Sequence, residues 1–287
     1  ANAYQELSKQ ELLFHESNLP SKEIFSSKLK EDVNRIFNLS DELPIYIAIY
    51  KVDEALYILI NIHHIAFDGW STDIFLKELY NYYYHYKDNS ALHLPTLSIG
   101  YKEFAQWQRE YLQGQELQRQ LGYWQEKLQD VEPLALVTDY QRPKMISYKG
   151  DNYSVTLDTQ LSLELSSLAK DKGVTLYTLL LSAFNILLSK YSNQEDIIVG
   201  SPTANRHYKQ IEDLIGFFVN TLAIRNRFSS DESFDSLLLK VEEGVIEAQS
   251  HQDIPFEHLV DKLNIQRDVS RHPLFDILFT LQNFGTQ

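Results

Sequence analysis

Hydrophobic positions repeat along this chain with two periods, one typical of strands and one of helices, and the two alternate through both halves. The run Ala55-Leu-Tyr-Ile-Leu-Ile-Asn-Ile62 is nearly continuous and rich in β-branched and aromatic types, which predicts a strand buried on both faces. Residues 72–87 then place Ile74, Phe75, Leu79, Tyr82, Tyr83 and Tyr86 on one helical face, with Ser71 or Thr72 as the cap and Asp73 in the first turn. A strand is expected at 45–50, after a turn signal at 37–44, whereas the first 40 residues are polar and loosely patterned. From 101 to 130, Tyr101, Phe104, Trp107, Tyr111, Leu117, Leu121, Trp124 and Leu128 mark helical segments broken near Gly114 and Gly122.

Residues 133–147 read as a linker, because the periodic pattern stops there and restarts beyond it. The expected division is therefore 1–132, the linker, and 148–287. In the second part, 153–157 alternates as a strand, and 159–172 is an amphipathic helix through Leu161, Leu165, Leu168 and Ala169, stopped by Gly173. A buried helix is expected at 175–191, a strand at 196–200, a loop at 201–206, a strand near 217–228 and a helix at 233–250. Phe275, Ile277, Phe279 and Leu281 alternate again near the end. Strands alternating with helices in both halves imply an α/β fold in two layers.

Composition narrows the function classes. With 40 acidic against 26 basic residues the net charge is −14, which repels nucleic acid and anionic membrane, so neither is expected as a partner. The longest apolar run, 176–188, is interrupted by Tyr177, Thr178, Ser182 and Asn185 and reads as a core helix rather than a membrane span. Neither end has the pattern of a signal peptide. The chain has no cysteine, which excludes disulfides and thiol catalysis and fits a cytoplasmic location.

The chemistry concentrates in Asn61-Ile-His-His-Ile-Ala-Phe-Asp-Gly-Trp-Ser71, at an expected strand-to-helix turn. Successive strand residues point to opposite faces, so only one of His63 and His64 is expected to face a reaction. A neutral imidazole accepts a proton near pH 7 without large tuning. Asp68 lies across a turn that Gly69 can make without Cβ strain, and it either pairs with an arginine or orients the histidine. The competing reading is a packed polar pair with no catalytic role. Zinc is disfavoured, since His63, His64 and Asp68 lack the i, i+4 spacing and there is no thiolate ligand, so no metal is expected.

Further ordered segments carry a resemblance. They are Tyr101-Lys-Glu-Phe-Ala-Gln-Trp107, Ile215-Gly-Phe-Phe-Val-Asn-Thr-Leu-Ala-Ile-Arg225, His251-Gln-Asp-Ile-Pro-Phe-Glu257 and Arg267-Asp-Val-Ser-Arg-His-Pro-Leu274, with Tyr123-Trp124, Thr138-Asp-Tyr-Gln-Arg-Pro143 and Val199-Gly-Ser-Pro-Thr-Ala-Asn-Arg206 between them. Together with the histidine motif, this order resembles the condensation domain of nonribosomal peptide synthetases, in the chloramphenicol acetyltransferase-like superfamily. The resemblance implies two chloramphenicol acetyltransferase-like lobes, each a mixed sheet with flanking helices, in a V-shaped pseudo-dimer with a tunnel between them. Peptide-bond formation would join a donor aminoacyl or peptidyl thioester to the amine of an acceptor aminoacyl thioester.

It further implies that upstream and downstream peptidyl carrier domains bring both substrates on phosphopantetheine, beside a neighbouring adenylation domain, and that the domain itself binds no cofactor. His64 would be the tunnel residue that takes or positions the amine proton, and the backbone N–H of Gly69 would approach the developing oxyanion. His63, Asp68, Arg206 and Asn220 would support the site, with Arg206 as the salt-bridge partner of Asp68. For Asn220 and Thr221, simple packing is an equal expectation, and Trp107 is expected in the core. His251, Asp253 and Glu257 are expected to cap and close a loop, while Arg267, Asp268 and Arg271 would form a surface ion-pair cluster suited to a carrier's phosphate.

The alternatives in the same superfamily are an epimerization domain and a non-catalytic recruitment module. A heterocyclization domain is disfavoured because it would carry aspartates in place of the histidines, and acyltransferases that use coenzyme A thioesters share the histidine-aspartate spacing. The family's first two motifs and its last strands and helix have no counterpart here, so the resemblance implies an incomplete N-terminal lobe and a chain truncated at both ends. Such ends would expose sheet edges and apolar surface, and association or poor solubility is expected.

Overall fold

The computed structural model describes residues 9–265 and 268–282. These form two compact units. The first takes the described residues up to 106 together with Arg206–Phe218, and the second takes Trp107–Asn205 together with those from 219 onward. The border of the units therefore differs from the 132/133 border expected from the sequence, because Trp124 and Leu128 bury themselves among Ile197, Val199 and Ile224 of the second unit.

In the first unit, β1 (Phe14–Leu19) runs parallel to β2 (Ile45–Val52), which pairs antiparallel with β3 (Ala55–Ile62). The crossover between the parallel strands is α1 (Lys22–Val33), capped by the Ser21 hydroxyl, which accepts from the Ile24 amide. Both β1 and α1 fall in the stretch that the sequence leaves unpatterned. The Val52 to Ala55 turn is tight enough that Asp53 adopts φ +55°, a left-handed conformation that aspartate tolerates better than most residues. Ala48, Tyr50 and Val52 form the local core with Phe25, Leu29 and Leu59, and the Tyr50 hydroxyl donates to buried Asp32 at 2.6 Å. β3 is not buried on both faces: Leu56 and Ile58 are exposed, since β3 ends the sheet order β1-β2-β3.

α2 (Gly69–Asp88) begins three residues before the expected start, and its cap is Asp68 rather than Ser71 or Thr72. Asn89, at φ +50°, ends it. α3 (Tyr101–Tyr111) follows, and α4 (Gly114–Lys127) continues through Gly122 without the expected break. Trp107 is partly exposed and stacks on Tyr111 at 4.8 Å instead of entering a core.

In the second unit, β4 (Asp196–Thr203) pairs antiparallel with β5 (Asn220–Arg227). α5 (Thr159–Asp171), α6 (Leu176–Ser192) and α7 (Phe234–Gln249) pack in sequence, with α7 also on β5, and the short α8 (Phe256–Lys262) closes the order. Residues 153–157, expected as a strand, are not in one, and Tyr153 and Val155 are exposed at 93% and 70%. The alternating segment near the end makes a single parallel bridge, in which the Gly200 amide donates to Ile277 O and the Phe279 amide to Gly200 O, both at 2.8 Å. No single helix among the described residues is long and apolar enough to cross a membrane.

Candidate active site

The histidine pair sits where β3 stops. The His63 amide still donates to Pro44 O at 2.8 Å, and its Nδ1 accepts from the Ile65 amide at 3.0 Å, capping a short 3-10 turn, His64–Ala66. His63 is therefore committed to shaping the turn, and with Nδ1 accepting, a neutral ring carries its proton on Nε2. His64 opens the turn and is exposed, and its side chain makes no hydrogen bond among the described residues. Its ring meets Phe217 edge to face, with centroids 5.1 Å apart at 85°.

Asp68 has the opposite environment. It is 2% exposed, and its carboxylate accepts from the Ser71 amide at 2.9 Å, the Ser71 hydroxyl at 2.7 Å, the Phe218 amide at 3.0 Å and Arg206 Nη2 at 3.0 and 3.2 Å. Burial alone would raise its pKa. The Phe218 amide, the Ser71 hydroxyl and amide and the Arg206 charge outweigh that and hold the carboxyl below its ordinary value. Arg206 is itself buried, donates through Nη1 to Ile211 O at 2.8 Å and Leu214 O at 2.6 Å, and lies 4.1 Å from the Phe218 ring centre. With every oxygen occupied, Asp68 has no lone pair left to orient His64, which decides between the two roles the sequence leaves open.

Ser71 and the 215–218 segment, which sequence reading did not single out as parts of the site, complete the cluster. The Ser71 hydroxyl accepts from the Gly216 amide at 3.1 Å, and Tyr101 donates to Phe217 O at 2.8 Å. A Cβ at Gly216 would lie 2.5 Å from the Tyr101 ring and 2.8 Å from that of Phe218, so glycine is required by space. Tyr101 and the 215–218 segment do appear within ordered motifs, but their meeting depends on residues more than 100 positions apart. Trp70 Nε1 also reaches Glu212 O at 3.2 Å.

Gly69 is the first residue of α2 and lies outside the left-handed region, so its place does not depend on glycine's φ freedom. Its N–H is among the helix-start amides without an intrahelical acceptor, at the positive end of the helix dipole.

Asn220 belongs to the second unit. Its Nδ2 donates to Gln252 O at 2.8 Å and Ile254 O at 2.7 Å, and its Oδ1 accepts from the Phe256 amide at 3.0 Å. It thus pins the His251–Glu257 segment to the start of β5. His251 stacks on Tyr123 at 4.0 Å, and Asp253 accepts from Gln120 at 3.1 Å. Arg271 and Arg142 both reach Asp276, at 3.4 and 3.0 Å; the Ser270 amide and hydroxyl, and after them the Arg271 and Arg142 charges, hold the Asp268 carboxyl below its ordinary value, and Arg267 lies outside the described residues. A cavity of about 990 Å³ in the same unit, lined in part by Leu134, Arg271 and His272, includes none of His63, His64, Asp68, Gly69, Arg206 and Asn220. No group of three or more metal-ligating side chains is found among the described residues.

The site thus joins a buried aspartate-arginine clamp to an exposed histidine at a strand-to-helix turn. The chain belongs to the condensation domain family, whose model matches residues 4–287. It is 41% identical over 262 residues to gramicidin S synthase 2 of Brevibacillus brevis, covering 91% of this chain and 6% of that protein. It is 43% identical over 252 residues to surfactin synthase subunit 1 of Bacillus subtilis (strain 168), covering 87% of this chain and 7% of that protein. The chain thus spans a small fraction of these relatives' length. Among solved structures, the X-domain from teicoplanin biosynthesis superposes with a TM-score of 0.83 at 23% identity, over 96% of this chain and 62% of that one. A four-domain nonribosomal peptide synthetase, AB3403, bound to AMP and glycine, gives 0.83 at 24% identity, over 97% and 21%. At these identities the likeness shows the fold, and the fold is that of condensation and X-domains.

Proposed function

We propose that this chain forms the peptide bond between a carrier-bound donor thioester and the amine of a carrier-bound acceptor in nonribosomal peptide synthesis. The observation that carries this reading is the contrast at the motif: the His64 ring is exposed and makes no hydrogen bond among the described residues, while Asp68 is buried and fully engaged. Only the histidine is available to exchange a proton.

In the reaction the acceptor nitrogen attacks the thioester carbonyl, the C–N bond forms as the C–S bond breaks, and the amine loses one proton while the departing thiolate gains one. His64 takes the first proton. An α-amine has a pKa of about 8, so neutral imidazole is a competent acceptor, and much of the remaining rate comes from aligning two tethered reactants. The Gly69 amide, at the positive end of α2, donates toward the oxyanion. His63, Asp68 and Arg206 keep the turn in shape, and Asn220 keeps its own segment of the second unit in place. The substrates arrive on phosphopantetheine of upstream and downstream carrier domains, with an adenylation domain as neighbour, in the cytoplasm.

The test is mass analysis of the carrier-bound dipeptide formed by the full-length protein, with His64 intact and as His64→Ala. The expected result is a large loss of dipeptide with donor loading unchanged. Equal product from both proteins contradicts the assignment.

A further inference from the structure

We propose that Phe217 is the positioning residue for the His64 imidazole, an inference that rests on the reading of His64 as proton acceptor. A histidine that must meet an incoming amine needs a fixed ring, yet among the described residues no hydrogen bond fixes the His64 ring. What it has is an aromatic neighbour, Phe217, whose ring stands nearly perpendicular at a centroid distance of 5.1 Å. Edge-to-face pairs prefer this geometry over parallel overlap.

Phe217 is itself held by its backbone rather than by burial, since the residue is 38% exposed. The residue before it, Gly216, donates its amide to Ser71 Oγ, and the residue after it, Phe218, donates its amide to Asp68 Oδ2. Phe217 O accepts from the Tyr101 hydroxyl at 2.8 Å. Three consecutive residues are thus tied to the Asp68–Ser71 turn and to α3, and the clamp leaves the Phe217 ring facing the histidine four residues before Asp68. The buried ion pair acts on the histidine through this ring: Asp68 and Arg206 hold the segment, and the segment presents Phe217. Gly216 has no room for a side chain, which keeps the approach of the two segments close.

An aromatic pair of this kind biases a side-chain equilibrium by roughly two- to tenfold. In the full-length protein with a weakly basic acceptor amine, Phe217→Leu, which keeps apolar bulk and removes the ring, lowers kcat by about three- to tenfold. The acceptor KM stays the same, and Phe217→Tyr, which keeps the ring, restores most of the rate. The deciding arm is the double variant. If Phe217 works through His64, Phe217→Leu in a His64→Ala background causes no further loss, because the ring has nothing left to orient.

An equal, additive loss in that background overturns the positioning role while leaving His64 as base. A His64→Ala protein as fast as the parent overturns the base reading instead. A fall in melting temperature for Phe217→Leu, with kcat unchanged in the folded fraction, assigns Phe217 to packing alone and also rejects the inference.

Discussion

His63, His64 and Asp68 lie within six positions of one another in sequence, yet the structure gives each a different physical state. His63 caps a turn, His64 is exposed against the Phe217 ring, and Asp68 is buried in a set of donors. Removing one member of a buried ion pair leaves the other charge unpaired, so Arg206→Ala is expected to destabilise the protein by about 3–5 kcal/mol. Denaturant titration followed by near-UV circular dichroism measures it, and a loss below about 1 kcal/mol contradicts a tightly coupled pair. The pH dependence follows from the same residue. The folded-state pKa of Asp68 is depressed, so its contribution is present above the unfolded value of about 3.9 and is lost as pH falls through the lower folded value. Asp68→Asn keeps a good helix cap but does not titrate. Its stability should therefore change less than that of the parent as pH drops below about 4, and parallel curves would contradict the assignment.

At the scale of elements, the segment 215–218 is the joint on which the site depends. Gly216→Ala pushes a methyl group into the Tyr101 and Phe218 rings, and overpacking of this kind costs about 1–3 kcal/mol. Thermal unfolding of Gly216→Ala tests this, with a reduced Tm expected and an unchanged Tm contradicting the close approach. The same element marks the limit of sequence reading. Hydrophobic periodicity located β2, α5, α6 and α7 to within a few residues, because each presents an apolar face to a local neighbour, and the near-continuous apolar run located β3 although much of it is exposed.

Elsewhere periodicity failed, for physical reasons that differ from place to place. β1 pairs in parallel with β2 across a helix, and α1 carries only a weak apolar stripe, so neither announces itself locally. Residues 153–157 alternate, but their apolar side chains face outward and no strand forms there. α2 starts early because Asp68, expected as an arginine partner, also caps the helix.

At the scale of the whole molecule, the chain returns to its first unit after a long excursion: Arg206 meets Asp68 across 138 positions. The pairing of Asp68 with Arg206 was expected from the resemblance that the motif order carries, and the ion pair is formed. Ser71, Gly216 and Phe217 were not legible as a site, because a contact between distant segments leaves no local period. This interleaving has a consequence for dissection. A fragment ending at residue 132, the border suggested by the sequence, lacks Arg206, Gly216 and Phe218 and leaves Asp68 buried without its partner. Its hydrogen exchange across the start of α2 should be fast, while the same amides in the full chain are protected. Equal protection in both would mean that the turn is stable without its distant clamp.

His64, and not Asp68, is the group proposed to take the amine proton. The most direct measurement is the single-turnover rate of amide formation by the full-length parent and by His64→Ala, across acceptor amines of graded basicity. The account predicts a deficit that is large for weakly basic amines and shrinks as the amine becomes a stronger nucleophile. A deficit of the same size for every amine, or none at all, would contradict it.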